Sequence, residues 1–274
     1  MSKSHLLLRI RRKLIKKIIK LTHNSADYYK ADYWPYVKEQ NDSIYFKNKK
    51  IKTHNLLNLE LGNHTVNIIG SGPSINGLDL SKIKSDNNIY LNGSINVAEK
   101  YNLPIFAHII MDANFVYNRF DLIKQNTKNT NIILSLGALC AIAERDISIL
   151  NNNKVYIFKT EKLSKDIIFT NDINNNIIDG GTVMSIAIQT VFHNNPKEAY
   201  LLGLDISNAK EPRFYENENN KQKCGLLKDY DEKILPFMKE ASLKFKSNNI
   251  EIFNCSPISK LPFDIIPYSD RYEK

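Results

Sequence analysis

The sequence predicts an α/β fold with a mostly parallel sheet, and three observations carry that prediction. From residue 65 onward, short apolar runs alternate with longer segments of helical period. The first of these runs, in VNIIGSGPSINGLDL (66–80), breaks into small flexible residues and then resumes as a short amphipathic piece. That is the pattern of a strand, a glycine turn and a helix start, the usual way such proteins build phosphate pockets. At 274 residues, 42% hydrophobic and 24% charged, the chain also has enough apolar material for a sizeable core.

Residues 1–20, MSKSHLLLRIRRKLIKKIIK, hold eight Lys or Arg and no acid, against a net charge of +9 for the whole chain. Leu7, Ile10, Leu14 and Ile18 recur at helical spacing, with Leu6, Ile15 and Ile19 beside them. Arg9, Arg12, Lys13, Lys16, Lys17 and Lys20 fall largely around the rest of the circumference. Residues 1–22 therefore read as a basic amphipathic helix for an anionic membrane surface, where each Lys or Arg contributes about 1 kcal/mol. On this reading the segment serves the membrane and not the chemistry. A helix packed on the protein's own core, or a basic tail, would leave the same pattern. The rest of the chain is close to neutral, so no nucleic-acid partner is expected.

Residues 23–64 read as a connecting arm. Its segment ADYYKADYWPY packs Tyr28, Tyr29, Tyr33, Trp34 and Tyr36 together, rings suited to a wet–dry boundary or to clamping the arm on the body. Strands are expected near 65–69, 88–92, 105–111, 131–134, 154–158, 199–204 and 250–253. Helices are expected near 94–101, 116–126, 137–150, 182–193 and 229–247. Within this body, 65–274, the stretch 206–228 has no clear period, and an aperiodic loop of that length is commonly a lid.

Several classes are disfavoured. Cys140, Cys224 and Cys255 show no metal or redox spacing and read as reduced and structural. No run approaches the roughly 18 uncharged apolar residues of a membrane span. Charges interrupt the N-terminal apolar residues and no small-residue cleavage site follows, so a signal peptide is not expected. The glycine turn lacks the lysine of a P-loop, and Ile75 stands where a dinucleotide fingerprint has its third glycine. The triplet Asp229-Tyr230-Asp231 reads as acidic capping of a helix start, not as a metal-binding DxD.

In parallel sheets ligands bind beyond the carboxyl ends of the strands, and small polar residues collect there. Gly70, Ser71, Gly72, Pro73 and Ser74 follow the first expected strand; Asn92, Gly93 and Ser94 follow the second; Asp112 ends the third. Gly180, Gly181 and Thr182 precede a helix, whose free N–H groups attract an anion. Asp205 and, further on, Asn254, Ser256 and Pro257 close two more strands. Each is an ordinary turn former alone. Together on one edge they suit a sugar–phosphate–pyrimidine ligand.

The ordered set IIGSGPSINGLDLSKI, YLNGSINVA and GGTVMSIAIQTVF…KEAYLLGLD resembles bacterial sialyltransferases that use CMP-activated sialic acid. It is more similar to lipopolysaccharide-core transferases that use CMP-Kdo (Kdo is 3-deoxy-manno-octulosonic acid), especially the type that adds a third Kdo. Asp112, RFYENEN (213–219), KILPFM (233–238) and IFNCSPIS…FDIIPY add to this likeness, which covers about residues 65–268. The resemblance implies a single Rossmann-like nucleotide-sugar domain with a lid over 206–228. It also implies a metal-independent transfer with no cofactor, from CMP-Kdo to a lipid A–core acceptor, by a cytoplasmic protein peripheral on the inner face of the inner membrane. Tyr215 would place its hydroxyl on the leaving phosphate, and Arg213 would pair with the donor carboxylate or an acceptor phosphate.

One departure concerns the base. The sialyltransferases use a histidine between the lid and the last strand, whereas this chain has none after His193. A proton must still leave the acceptor hydroxyl. Asp112 and then Glu216 are the candidates, with Asp205 third. Two other readings stay open: transfer of sialic acid or a related nonulosonic acid, and a nucleotide-binding accessory module of surface or flagellar glycan assembly without catalysis.

Overall fold

The computed structural model describes residues 3–22, 34, 36–40, 43–217, 219, 221 and 224–274. Helix α1 (Lys3–Thr22) is followed by three short strands, β1 (Val37–Gln40), β2 (Ser43–Phe46) and β3 (Lys49–His54). Then come β4 (Thr65–Ile69), β5 (Asn88–Leu91), α2 (Ile95–Tyr101), β6 (Ala107–Ile110), α3 (Ala113–Asn118) and α4 (Phe120–Asn126). The middle of the chain gives β7 (Asn131–Ser135), α5 (Leu136–Asp146), α6 (Ser148–Asn151), β8 (Lys154–Phe158), β9 (Thr160–Lys162) and β10 (Ile177–Asp179). The last part gives α7 (Val183–Phe192), β11 (Glu198–Leu202), α8 (Leu226–Asp229), α9 (Leu235–Ser247) and β12 (Glu251–Asn254).

Among the described residues, ten strands form one sheet in the order β1-β2-β3-β8-β7-β6-β5-β4-β11-β12. Every pairing from β3 to β12 is parallel; β1 and β2 are added antiparallel. Such a sheet is apolar on both sides, and its strands show it. Val66 and Ile68 pack in one core with residues of α7 and α9, including Ile188, Phe237 and Phe245. Ile69 and Tyr90 belong to a second core with Ile95 and Val97 of α2. Ile132, Leu134 and Val155 pack with α3 and α5. Asn67 and Asn88 are buried polar exceptions. The Asn67 amide donates to Asn88 Oδ1 at 2.8 Å, and the Tyr272 hydroxyl donates to Asn67 Oδ1 at 2.7 Å.

The strands and helices expected from residue 65 onward are present within a few residues, although 116–126 and 137–150 each form two helices and β9, β10 and α8 are not foreseen. The strands before residue 65 are not foreseen either. Residues 37–54 extend the sheet, although the sequence reading places no strand there. Val37, Ile44, Phe46 and Ile51 are buried apolar side chains of that meander, joined to the core of α3 and α5. The lysines of KKIKTH hide this, because alternation is visible there at a single position, Ile51. Of the aromatic segment, Trp34 and Tyr36 are described, while Tyr28, Tyr29 and Tyr33 lie outside the described residues. The three cysteines are free, with Cys140 and Cys255 buried.

The strand order reverses at β4. From there the chain moves through β5, β6, β7 and β8 on one side, then returns to place β11 on the other. A crevice opens beyond the carboxyl ends of strands at such a point.

Candidate functional site

A cavity of about 560 Å³ lies there. Its walls include Gly70 to Pro73 after β4, Asn92 after β5, Asp112 after β6, and Gly203 to Asp205 after β11. The turns after β4 and β11 are stitched together. Gly70 N–H donates to Leu202 O at 2.8 Å and Gly72 N–H to Gly203 O at 3.1 Å. Glycine is needed at both positions because of this contact. A Cβ on Gly70 would sit 2.8 Å from Gly203 O, and one on Gly72 would sit 2.5 Å from Asp205 Cγ. The space beside Gly72 is thus filled by Asp205, so the protein's own carboxylate, and not only a ligand, demands the glycine.

Asp205 lines the cavity, yet both of its oxygens serve the turn. Oδ2 accepts from Ser74 N–H and Oδ1 from the Ser74 hydroxyl, each at 2.5 Å. Burial pushes the Asp205 carboxyl pKa up, against the lowering pull of the Ser74 hydroxyl and amide. Ser74 is therefore a brace and not a wall. The same correction applies to two other serines expected at the ligand. Ser94 is fully buried, donating to Ile69 O and accepting from Leu91 N–H. Ser256 accepts from Leu204 N–H at 2.8 Å and hydrogen-bonds the Asp205 carboxylate, so it too braces the turn. Pro257 lies exposed outside the cavity. A hydroxyl one bond from the backbone readily satisfies strand-end amides and carbonyls, which is why such residues collect there.

Asn92 reaches the cavity in a left-handed conformation with φ of 49°, a region asparagine tolerates better than most residues. His108, fully buried, holds it there. Its Nε2 donates to Asn92 O at 2.8 Å, and Nδ1 lies 3.1 Å from the Thr127 hydroxyl. Nothing in the sequence singled out His108 for this. Burial lowers its pKa to about 4. A folded value below the unfolded 6.5 means that stability is full above pH 6.5 and is lost as pH falls toward 4. We expect denaturant titrations to show about 2 kcal/mol less stability at pH 5 than at pH 7 from this group alone. The His108→Gln variant should lose that pH dependence.

At the other lip, Gly181 and Thr182 lead into α7 and line the cavity with Asp179 and Val183. Gly181 has φ of 81°, and its N–H donates to Asp179 Oδ1 at 3.0 Å. Thr182 caps the helix by accepting from Met184 N–H. Gly180, expected beside them, instead backs onto the core, where a Cβ would meet Phe237 at 2.5 Å. Asp229 lines the cavity as the last residue of α8, paired with Lys233 at 3.1 Å. It stands at the N-cap position of the helical segment Tyr230–Ile234, whose first turn holds Asp231, but makes no side-chain capping hydrogen bond.

The expected catalytic trio separates. Asp112 lines the cavity and caps α3, its Oδ1 accepting from Asn114 N–H at 2.8 Å; Oδ2 has no protein partner among the described residues. Glu216 is outside the cavity. Its side chain is 1% exposed, with Oε1 at 3.0 Å from Arg213 and 4.0 Å from Arg119. A carboxylate buried between guanidiniums serves structure, so the lid-base candidate is displaced. Tyr215 is also outside. Its ring covers Gly93, where a Cβ would lie 2.1 Å from Cζ, and it lines a smaller hollow with Asn96 and Arg119. Gly93 is therefore a platform for Tyr215 rather than a donor contact. Burial raises the Tyr215 pKa to about 12. Arg213 does reach the cavity, as do Asn208, Glu211 and Cys224 from the same aperiodic stretch.

The largest surprise is α1. Arg12 and Lys13 line the cavity, so the N-terminal helix is part of the site. Arg12 is buried against Glu144 in an ion pair, donates to Tyr117 at 3.0 Å, and lies 5.4 Å from the Trp34 ring centroid. Tyr117 donates in turn to Glu144 at 2.8 Å. The apolar residues of the helix consequently split. Ile19 is 3% exposed against the body, whereas Leu7 (67%), Leu14 (57%) and Ile18 (58%) point outward with Leu6, Ile10 and Leu21.

No family model matches the chain. Two relatives do, each named a probable 3-deoxy-manno-octulosonic acid transferase. The one from Salmonella typhimurium is 24% identical over 72% of this chain and 84% of its own; the one from Escherichia coli is 23% identical over 80% and 87%. The resemblance to Kdo transferases drawn from the motifs is met. A solved structure, the MAf glycosyltransferase from Magnetospirillum magneticum AMB-1, aligns over 73% of this chain at a TM-score of 0.50 and 17% identity. This chain spans 32% of that longer protein. The fold is a glycosyltransferase-like α/β fold. The sialyltransferase CST-II, solved with a trisaccharide acceptor and CMP, aligns over 77% of this chain and 90% of its own at a TM-score of 0.44 and 18% identity.

Proposed function

We propose that this protein transfers Kdo from CMP-Kdo to a sugar of the lipopolysaccharide inner core. The observation that carries the reading is the stitched pair of glycine turns, Gly70–Ser74 and Gly203–Asp205, at the point where strand order reverses. Such a turn accommodates a nucleotide phosphate against backbone amides, and the probable Kdo transferases supply the donor class.

In the reaction, the acceptor oxygen bonds to the anomeric carbon of Kdo while the bond from that carbon to the phosphate oxygen breaks. CMP leaves with the electron pair, and Asp112 Oδ2 takes the hydroxyl proton. A CMP-sugar carries a single phosphodiester, so its leaving group gathers less charge than a nucleoside diphosphate. The amides of Ser71 and Thr182, which line the cavity, with Arg213, stabilise that charge without a metal. Asn208, Glu211 and Arg213, which line the cavity, close over the donor.

The outward stripe of α1, with Lys13, Lys17 and Arg11 exposed beside it, supports a reading in which the enzyme works on an anionic membrane surface. No described helix is long and apolar enough to cross a membrane. Burying a leucine or isoleucine contributes about 1.5–3 kcal/mol. Changing Leu7, Leu14 and Ile18 together to serine should therefore weaken sedimentation with anionic vesicles about ten-fold or more. Equal sedimentation of the two proteins would remove the stripe from membrane binding.

The donor is tested by CMP release, with CMP-Kdo generated in situ because it is labile, and CMP-sialic acid beside it. Release from CMP-Kdo alone is the expected result. Release from CMP-sialic acid alone would move the assignment to the sialic acid class.

A further inference from the structure

We infer that the end of the cavity near β6–β8 is the acceptor subsite, and that α1 builds it while meeting the bilayer. This rests on the transferase reading above. The cavity runs along the sheet edge from the turn after β11 to Thr160 after β8. Those strands are five positions apart, about 24 Å at the usual strand spacing. Nucleotide-type features, the glycine turns and the first turn of α7, gather at the β4–β11 end. The other end has different chemistry: Lys13, Trp34, Asp112, Tyr117 and Ser135.

An aromatic ring and an exposed cation suit a saccharide that carries negative charge, while the Tyr117 and Ser135 hydroxyls donate to Glu144 and to Met111 O and brace the wall. The ring is fixed before any ligand arrives. Trp34 is 7% exposed, lies beneath Arg12, and comes so close to Gly137 that a Cβ there would stand 3.2 Å from the indole. Arg12 is committed to Glu144 and Tyr117, so its charge anchors the helix. Lys13, the next residue, has no ion pair among the described residues and stands exposed on the rim. Lys13 is the cation for the incoming saccharide.

The position of α1 then identifies how that saccharide is carried. Its inner face holds Arg12 and Ile19, and its outer face shows Leu7, Leu14 and Ile18. One helix thickness, about 10 Å, separates the saccharide end of the cavity from the bilayer surface. A lipid-linked glycan can enter this end while its acyl chains remain in the membrane.

Trp34 is the single tryptophan of the chain, so its emission reports this end of the cavity without a label. The full-length protein is titrated with deacylated inner-core oligosaccharide, and separately with CMP. The oligosaccharide should change the emission saturably, and CMP alone should not. Lys13→Glu should shift the oligosaccharide midpoint about ten-fold, the worth of one charge-assisted contact, and the calorimetric CMP midpoint far less. Emission that follows CMP and ignores the oligosaccharide would overturn the assignment, as would a Lys13→Glu protein that loses both ligands equally. A wild-type protein that binds oligosaccharide at Trp34 but neither binds CMP nor releases it from CMP-Kdo would instead remove the transferase reading and keep a saccharide site.

Discussion

Gly72→Val should lower CMP affinity about 100-fold in a protein that still folds. A side chain at this position must displace Asp205, because even its Cβ would stand 2.5 Å from Asp205 Cγ. Ser74 would then lose the carboxylate that accepts from both its amide and its hydroxyl. Hydrogen bonds to a charged partner contribute about 1.5–3 kcal/mol each. Losing two of them removes about 3 kcal/mol of preorganisation in the turn, which corresponds to about 100-fold in affinity. Calorimetry with CMP measures the change, and circular dichroism checks the fold. Unchanged affinity in a folded variant would remove the glycine turn from the donor site. Asp205→Asn offers a second view, since it retains shape while weakening the same two contacts.

Asp112→Asn should reduce transfer about 10²–10⁴-fold, the range for loss of a general base. CMP affinity should change much less, because the proposed nucleotide end of the cavity is built by the turns after β4 and β11. Asp112 sits directly after β6, its Oδ1 tied to Asn114 N–H, so the open oxygen is held on a rigid element. Glu216→Gln provides the contrast. It leaves Arg213 and Arg119 without their carboxylate and should disturb the segment around 213–216 rather than proton transfer. Single-turnover assays separate chemistry from donor binding. Near-normal turnover by the Asp112→Asn protein would take the base role away from this residue.

The sequence made the body of the fold legible where periodicity was strong. Apolar runs such as VNII and NIILS announce strands buried on both sides, and the glycine turn marks where the first of them ends. The meander 37–54 escaped because its single fully buried residue in KKIKTH, Ile51, shows no period. At the site, sequence located the strand ends but not the direction of each side chain. Ser71 and Asn92 reach the cavity, whereas Ser74, Ser94 and Ser256 turn back to brace the backbone, and all five look alike in sequence. Tyr215 and Glu216 were illegible for another reason. Their place depends on Gly93 and Arg119, contacts that only the folded chain brings together. The docking of α1 was hidden most deeply, since apolar residues occur on both of its sides and its anchor, Glu144, lies in α5. That docking also changes what removal of the first 20 residues would do, because it takes Arg12 and Lys13 out of the cavity wall.

Mass spectrometry of the acceptor after incubation with the full chain and CMP-Kdo tests the central claim most directly. Deacylated inner-core oligosaccharide should gain one Kdo residue as CMP accumulates in equal amount, and the Asp112→Asn protein should bind CMP while forming almost no product. An unmodified oligosaccharide in the presence of a wild-type protein that binds CMP tightly would contradict the account and leave a nucleotide-binding module without transfer.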